Sequence, residues 1–298
     1  MLKVEHVTKY YDNFKAVDDL SFEVQEGEII GLLGVNGAGK TTTFRMIMGL
    51  LDMTEGKITF DGAPIDYSLT DKIGFLTEER SLLTKLTVKE QALFYGNLKG
   101  MDDDTILKRL DELLEKFGVS EYKERKIKEL SKGNQQKIQF ITAIINNPKL
   151  LILDEPFSGL DPFNIELFKN EIIELSKRGC EIIFSSHRMD HVELFCEKII
   201  VLLRGKTVLS GNIKDIKEKF RKKNIFIQGD VNINELERIK GVLSVNKNHE
   251  EFEVKIASKE VVDNVFNAVK NNKITKFVVE EPTLNEIFVE TVGEQYEK

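Results

Sequence analysis

"EIIGLLGVNGAGKTTTFRMIMGLL", residues 28–51, decides how the rest of this chain is read. It opens as an apolar run of strand length, passes through three closely spaced glycines, and resumes with helical period. The stretch between, Gly34 to Thr42, fits G-x-x-x-x-G-K-[ST] in the strand–loop–helix context that the motif requires. Glycines there let backbone N–H groups approach phosphate oxygens. A lysine at position 40 can bridge two phosphates, and the Thr41 hydroxyl can serve Mg²⁺. A chance match in a chain of this composition is on the order of 1%, so an ordinary glycine turn is the weaker reading.

A phosphate loop needs an acid opposite it. "LLILDEPFSGLD", residues 150–161, is a buried strand ending in Asp154, which places a carboxylate at the strand's carboxyl end, where it can hold Mg²⁺. Glu155 follows and can orient or deprotonate an attacking water. Other pieces are weak one by one. "LSKGNQQKIQF", residues 130–140, starts a helix capped by Ser131, a free N-terminus suited to an anion. His187 ends the apolar strand "IIFSSH" and can donate to a phosphate oxygen, although a histidine there is more often structural. Tyr11 can stack on a purine, although an aromatic beside a strand is usually core.

Composition sets limits. The chain has 298 residues, 41% of them hydrophobic, enough for two domains with real cores. With 43 Lys and Arg against 50 Asp and Glu, the net charge of -7 gives no long-range pull toward nucleic acid, and no nucleic-acid partner is expected. Cys180 and Cys196 read as reduced core thiols of a cytosolic protein. The charged start "MLKVEHVTKYY" is unlike a secretory signal, and no run approaches the roughly 20 apolar residues of a membrane span. If the protein serves a membrane, another chain spans it.

Strands alternating with helices predict a largely parallel α/β core over 1–212, with an inserted helical lobe at about 87–145. Thr87 and Glu90 form a capping box, and Ile106, Leu110, Leu113, Leu114 and Phe117 trace one apolar face. Glycines crowd this region; only Gly229, Gly241 and Gly293 follow Gly211. A charged helix, "NIKDIKEKFRKKN", leads into 213–298, whose order reads β-α-β-β-α-β plus a closing helix "TLNEIFVETV". That order predicts a small α+β, ferredoxin-like domain.

Phosphate loop, helical lobe, "LSKGN", "LLILDEP", "SGLD" and a strand-ending histidine, in that order, resemble the ATP-binding cassette (ABC) ATPases over residues 1 to about 212. The resemblance implies a P-loop NTPase with a mixed sheet, ATP and Mg²⁺ as cofactors, and these roles. Tyr11 would stack on adenine. Val17, Gly34, Asn36, Gly37, Ala38, Gly39, Lys40, Thr41 and Thr42 would contact the nucleotide. Thr41, Glu78 and Asp154 would hold Mg²⁺, Glu155 would be the base, and His187 the switch histidine. Ser131, Gly133 and the inter-subunit aspartate Asp161 would act across a homodimer in which each signature helix caps the partner's ATP.

The sequence departs from the family pattern in three places. Lys132 and Asn134 stand where the signature usually has glycine and glutamine, and Glu78 replaces the glutamine that touches Mg²⁺ and the membrane partner, with Arg80 placed to offset its charge. The glutamate, the appended domain and the tail "EEPTLNEIFVETV" resemble the ATPase subunits of ABC-2 type exporters, including sodium-efflux (Nat-type) ATPases. This implies a cytoplasmic subunit, peripheral on the inner face of the cell membrane, that drives efflux of sodium, a drug or a peptide through a separate integral-membrane permease. Two alternatives stay open: a non-transport switch acting on ribosomes or DNA, and a regulatory ATPase whose last domain senses a ligand. The cargo is not legible.

Overall fold

The computed structural model describes residues 1–79, 81–220 and 222–296, so the expectation for Arg80 lies outside the described residues. The chain divides into two compact units, Met1–Ser210 and Gly211–Lys298.

The first unit opens with β1 (Leu2–Tyr11), β2 (Phe14–Val24) and β3 (Ile29–Gly34), followed by α1 (Lys40–Ile47), β4 (Glu55–Phe60), β5 (Ala63–Pro64) and β6 (Ile73–Leu76). The helical lobe holds α2 (Val88–Leu98), α3 (Asp103–Lys116) and α4 (Lys132–Ile144). Then come β7 (Leu150–Asp154), α5 (Pro162–Lys177), β8 (Glu181–Ser186), α6 (Met189–Glu193), β9 (Lys198–Leu203) and β10 (Lys206–Asn212). Two sheets result, ordered β2-β1-β4-β5 and β10-β9-β3-β8-β7-β6. The first is antiparallel; in the second, β9, β3, β8, β7 and β6 run parallel. β3, β7 and β8 are buried along their whole length, and each is built around an apolar stretch, although β7 ends in Asp154 and β8 carries Glu181, Ser185 and Ser186.

One core joins both sheets to α1: Leu2, Val4 and Leu20 meet Phe44, Met46 and Ile47, and these meet Ile30, Leu32, Ile152 and Ile183. A second core is aromatic. Phe117, Phe140 and Phe168 lie 4.6 to 5.6 Å apart between ring centroids and tie α3, α4 and α5 together. Phe157 packs on Phe168 at 6.4 Å and Phe184 at 5.4 Å, which pins the chain just after Asp154 and Glu155. Two of the lobe's helices start as the sequence predicts. Thr87 and Glu90 make the reciprocal capping box of α2, and Ser131 caps α4 by accepting the Asn134 N–H.

The second unit holds α7 (Ile213–Lys219), β11 (Lys223–Gly229), α8 (Ile233–Glu237), β12 (Val242–Asn248), β13 (Glu251–Ile256), α9 (Val262–Val269), β14 (Ile274–Glu280) and α10 (Leu284–Tyr296). Its sheet is ordered β12-β13-β11-β14 and is antiparallel throughout, with the first and third strands central. This is the ferredoxin-like arrangement. Ile225, Ile227, Phe252, Val254 and Ile256 alternate on one sheet face and are buried with Leu236 of α8 and Val265 and Val269 of α9.

Several elements differ from the sequence reading. The charged joint helix is shorter: Asn212 caps it, Phe220 leaves helical geometry, and Lys223 and Asn224 pair instead with Ile256 and Lys255 of β13. β5, β6, α6 and β10 were not expected. β6 has four residues and pairs with β7, too short for a period-2 signal, and Gly211 interrupts the alternation of β10.

Candidate active site

β3 ends at Gly34 and α1 starts at Lys40, so the loop between them faces the carboxyl end of the parallel sheet. Gly39 has φ 108°, and a Cβ there would lie 2.6 Å from the Ala16 carbonyl oxygen, which leaves room for glycine alone. Gly37 also has positive φ, but its Cβ side is open, so its requirement is conformational. The first turn of α1 carries neither a side-chain cap nor an acidic residue. Its N-terminus therefore presents positive partial charge to whatever fills the loop.

The Lys40 ammonium donates to the carbonyl oxygens of Gly34 at 2.7 Å and Val35 at 3.3 Å, rather than standing free over the loop. Burial pushes its pKa down, while the carboxylates of Glu155, Asp154 and Glu78 pull it back up.

Asp154 and Glu155 are both buried at the end of β7. Asp154 Oδ2 accepts from the Thr41 hydroxyl at 3.4 Å, and its Oδ1 accepts from the Ser185 hydroxyl at 2.5 Å. Glu155 sits at φ 49°, a left-handed conformation that costs a non-glycine residue about 1–3 kcal/mol. Its N–H donates to Ser185 Oγ at 3.2 Å, and its carboxylate meets the Ser186 hydroxyl at 3.4 Å and His187 Nδ1 at 2.8 Å. Consecutive acids thus face different partners.

A pocket of about 370 Å³ is lined by Tyr11, Asn36, Gly37, Ala38, Gly39, Lys40, Thr41, Thr42, Glu78, Asp154 and Glu155, with Phe14 and Ala16. His187 reaches this set through Glu155. Gly34 and Val17 do not line the pocket: Gly34 takes the lysine, and Val17 is fully buried beneath Gly39. Ser131, Gly133 and Asp161 do not line it either. Ser131 begins α4 on an exposed surface, and a Cβ at Gly133 would meet nothing within 4 Å. Asp161 caps α5, accepting the Asn164 N–H at 2.9 Å, a bond that holds its carboxyl below the usual range.

Four residues escaped the sequence reading. Phe14 pairs with Tyr11 across the hairpin turn at Asp12 and Asn13, and both exposed side chains line the pocket; aromatic residues flanking a two-residue turn were the available signal. Ala16 and the two serines carry no local signature.

The pocket's donors fit a hard divalent cation. Thr41 and Asp154 converge from facing elements, and three carboxylates against one lysine leave excess negative charge beside N–H groups suited to phosphate. A cation between them reconciles the two. Among the described residues, no three His, Cys, Asp or Glu side chains form an all-protein cage. Mg²⁺ bound mainly through phosphates and water needs none.

A second groove, of about 400 Å³, runs beside the site between Met48, Leu50, Ile73, Phe75, Leu82 and Tyr95. On its wall, Gln139 of α4 donates to the carbonyl oxygens of Thr77 at 3.1 Å and Glu79 at 3.3 Å, gripping both sides of Glu78. Among the described residues, no helix is long and apolar enough to cross a membrane.

Fold and site together define a phosphate-loop nucleoside triphosphatase with an attached ferredoxin-like unit. Residues 17–158 match the ABC transporter family, and residues 211–292 match the C-terminal domain of DrrA1-3-like ATP-binding proteins. The chain is 47% identical over 298 residues to the ABC transporter ATP-binding protein YhaQ of Bacillus subtilis, covering all of both chains. It is 35% identical over 215 residues to the ABC transporter ATP-binding protein NatA of Bacillus subtilis, covering 71% of this chain and 87% of NatA. Among solved structures, a dimeric post-hydrolysis state of the cassette MJ0796 bound to ADP and Pi aligns with TM-score 0.64 and 25% identity, over 72% of this chain and 99% of that one. The chain belongs to the ATP-binding proteins of ABC transporters, and its cassette is an ATPase of that family.

Proposed function

We propose that this chain is the ATP-hydrolysing subunit of an ABC-2 type exporter, working as a homodimer on the cytoplasmic face of a membrane-spanning permease supplied by another chain. The observation that carries the reading is the convergence of Lys40, Thr41, Asp154 and Glu155 on one pocket, with His187 on the second acid. Sodium, drug and peptide efflux are all compatible with it. Residues 213–298 are an accessory domain in this reading.

Adenine would lie against Tyr11 and Phe14, the two exposed rings that line the pocket. The loop N–H groups and α1 take the phosphates, and Lys40 exchanges two backbone carbonyls for phosphate oxygens. Bound at Thr41, Asp154 and Glu78, Mg²⁺ would supply charge neutralisation on the phosphates. Glu155 accepts the proton of a water as that water's oxygen attacks the γ-phosphorus and the bond to ADP breaks. His187 holds Glu155 through Nδ1 and, when protonated, would donate from its other ring nitrogen to a γ-phosphate oxygen. Ser131 and Gly133 serve the partner subunit's nucleotide, which agrees with their absence from the pocket of their own chain. The permease would bear on the groove beside Glu78, where the Gln139 grip links α4 to the Mg²⁺ side of the site.

The test is a pull-down of tagged Glu155→Gln protein from detergent-solubilised host membranes, with and without ATP. A polytopic membrane partner is the expected result. Ribosomal proteins or nucleic acid with no membrane protein would overturn the transporter reading, and failure of the purified wild-type protein to hydrolyse ATP would overturn the site.

A further inference from the structure

The two serines before His187 make contacts that the family motifs leave unused. β8 runs parallel to β7 with Ser185 in register beside Asp154. Ser185 is fully buried and Ser186 is 2% exposed, and each hydroxyl reaches a different acid. Ser185 Oγ donates to Asp154 Oδ1 at 2.5 Å, so Oδ2 is the oxygen turned to Thr41. The same Ser185 oxygen accepts the Glu155 N–H at 3.2 Å, holding the strained left-handed residue from its backbone. Ser186 Oγ donates to Glu155 Oε2 at 3.4 Å, accepts the Arg188 N–H at 3.0 Å, and leaves Oε1 to His187.

We infer that Ser185 and Ser186 are positioning residues with separate tasks: Ser185 aims Asp154 at the metal, and Ser186 aims Glu155 at the attacking water. A hydroxyl suits both tasks because it fixes a carboxylate without neutralising it. A lysine or arginine in either place would compete with the metal or tie down the base. The division follows from the register. Consecutive residues of a strand point to opposite faces, and the turn at Glu155 brings the second acid round to the second serine.

This inference rests on the roles proposed above for Asp154 and Glu155, and the experiment separates the two. Wild-type protein is first shown to bind and hydrolyse ATP; if it does neither, the site reading fails before any serine is changed. Mn²⁺ is then titrated by its paramagnetic resonance signal into ATP-loaded Glu155→Gln protein, where turnover is stalled. Adding Ser185→Ala should weaken Mn²⁺ binding about tenfold or more, the usual cost of losing a group that orients a metal ligand, with ATP binding in EDTA unchanged. Ser186→Ala should leave Mn²⁺ binding unchanged and, in the otherwise native protein, lower kcat about tenfold with KM constant. Ser186→Thr, which keeps the hydroxyl, should recover the rate. Should Ser185→Ala fail to fold, Ser185→Thr and Ser185→Cys carry the comparison, with threonine expected to bind Mn²⁺ like wild type and cysteine more weakly. Equal effects of the two alanine variants on Mn²⁺ binding, or none from either, would overturn the division of tasks.

Discussion

In the first unit, Asp154 and Glu155 are buried and are held by hydroxyls and an imidazole, while Lys40 is held by backbone carbonyls. In the second unit four acids are met by lysines: Glu286 by Lys255, Glu251 by Lys276 at 2.7 Å, Glu281 by Lys223 at 3.2 Å and Glu290 by Lys222 at 2.7 Å. A charge held by neutral partners keeps its field and answers to a ligand. A charge already matched has little left to offer one. The contrast predicts which substitutions at these residues will alter chemistry and which will alter stability.

The largest expected effect breaks the first unit's chemistry without touching its fold. Glu155→Gln should lower phosphate release about a thousandfold, within the range general-base catalysis supplies, while ATP binding by equilibrium dialysis persists. Undiminished hydrolysis in a clean preparation would remove Glu155 from the role of base. The counterpart in the second unit is Ile227→Ala, which empties a fully buried position between the sheet and its helices. It should destabilise that unit by about 3 kcal/mol, seen as an earlier denaturation transition, with per-molecule ATPase activity retained at moderate temperature.

Next in size is Lys40→Ala, which removes charge-assisted bonds worth about 2 kcal/mol and should weaken ATP binding about thirtyfold. Unchanged affinity for a fluorescent ATP analogue would break the phosphate-loop assignment. Glu78→Gln sharpens the comparison, because it removes one of three carboxylates facing Lys40 but keeps an oxygen ligand. The variant should keep at least about a tenth of the ATPase rate. A thousandfold loss would show that the charge itself is needed.

The smallest effect belongs to the matched charges. Although burial opposes it, the Glu286 carboxyl is lowered from 4.5 by hydrogen bonds from Lys255, the Thr283 N–H and Asn224. A lowered folded value means that its contribution to stability is complete above the unfolded value near 4.5 and is lost as pH falls through the folded value. For this partly exposed pair we expect about 1 kcal/mol or less. Thermal melts of Glu286→Gln against wild type should converge as pH drops from about 6 toward 3, and a difference that grows with acid would contradict the linkage.

How much was legible depends on the span of chain that carries each signal. The phosphate loop, the acids after β7, the caps at Thr87 and Ser131 and the β-α-β-β-α-β order of the second unit all lie in short windows, where period, glycine placement and capping chemistry act locally. Strand order did not lie in such windows. β6 is four residues long at a sheet edge, and Lys223 and Asn224 look helical until β13 claims them.

Sequence by itself therefore determined the chemistry on offer: a phosphate-binding loop, a pair of consecutive acids, a strand-ending histidine and a second compact unit. Tertiary structure alone decided how that chemistry is aimed. Register between β7 and β8 brings Ser185 to an aspartate 31 residues away, a hairpin carries Phe14 to the pocket, and Gln139 grips the chain on either side of Glu78. The physical reason is range. Backbone torsions and helix caps are settled among near neighbours, whereas the partner of a buried hydroxyl is settled by which strands lie side by side and in what register, and no stretch of a few residues encodes that.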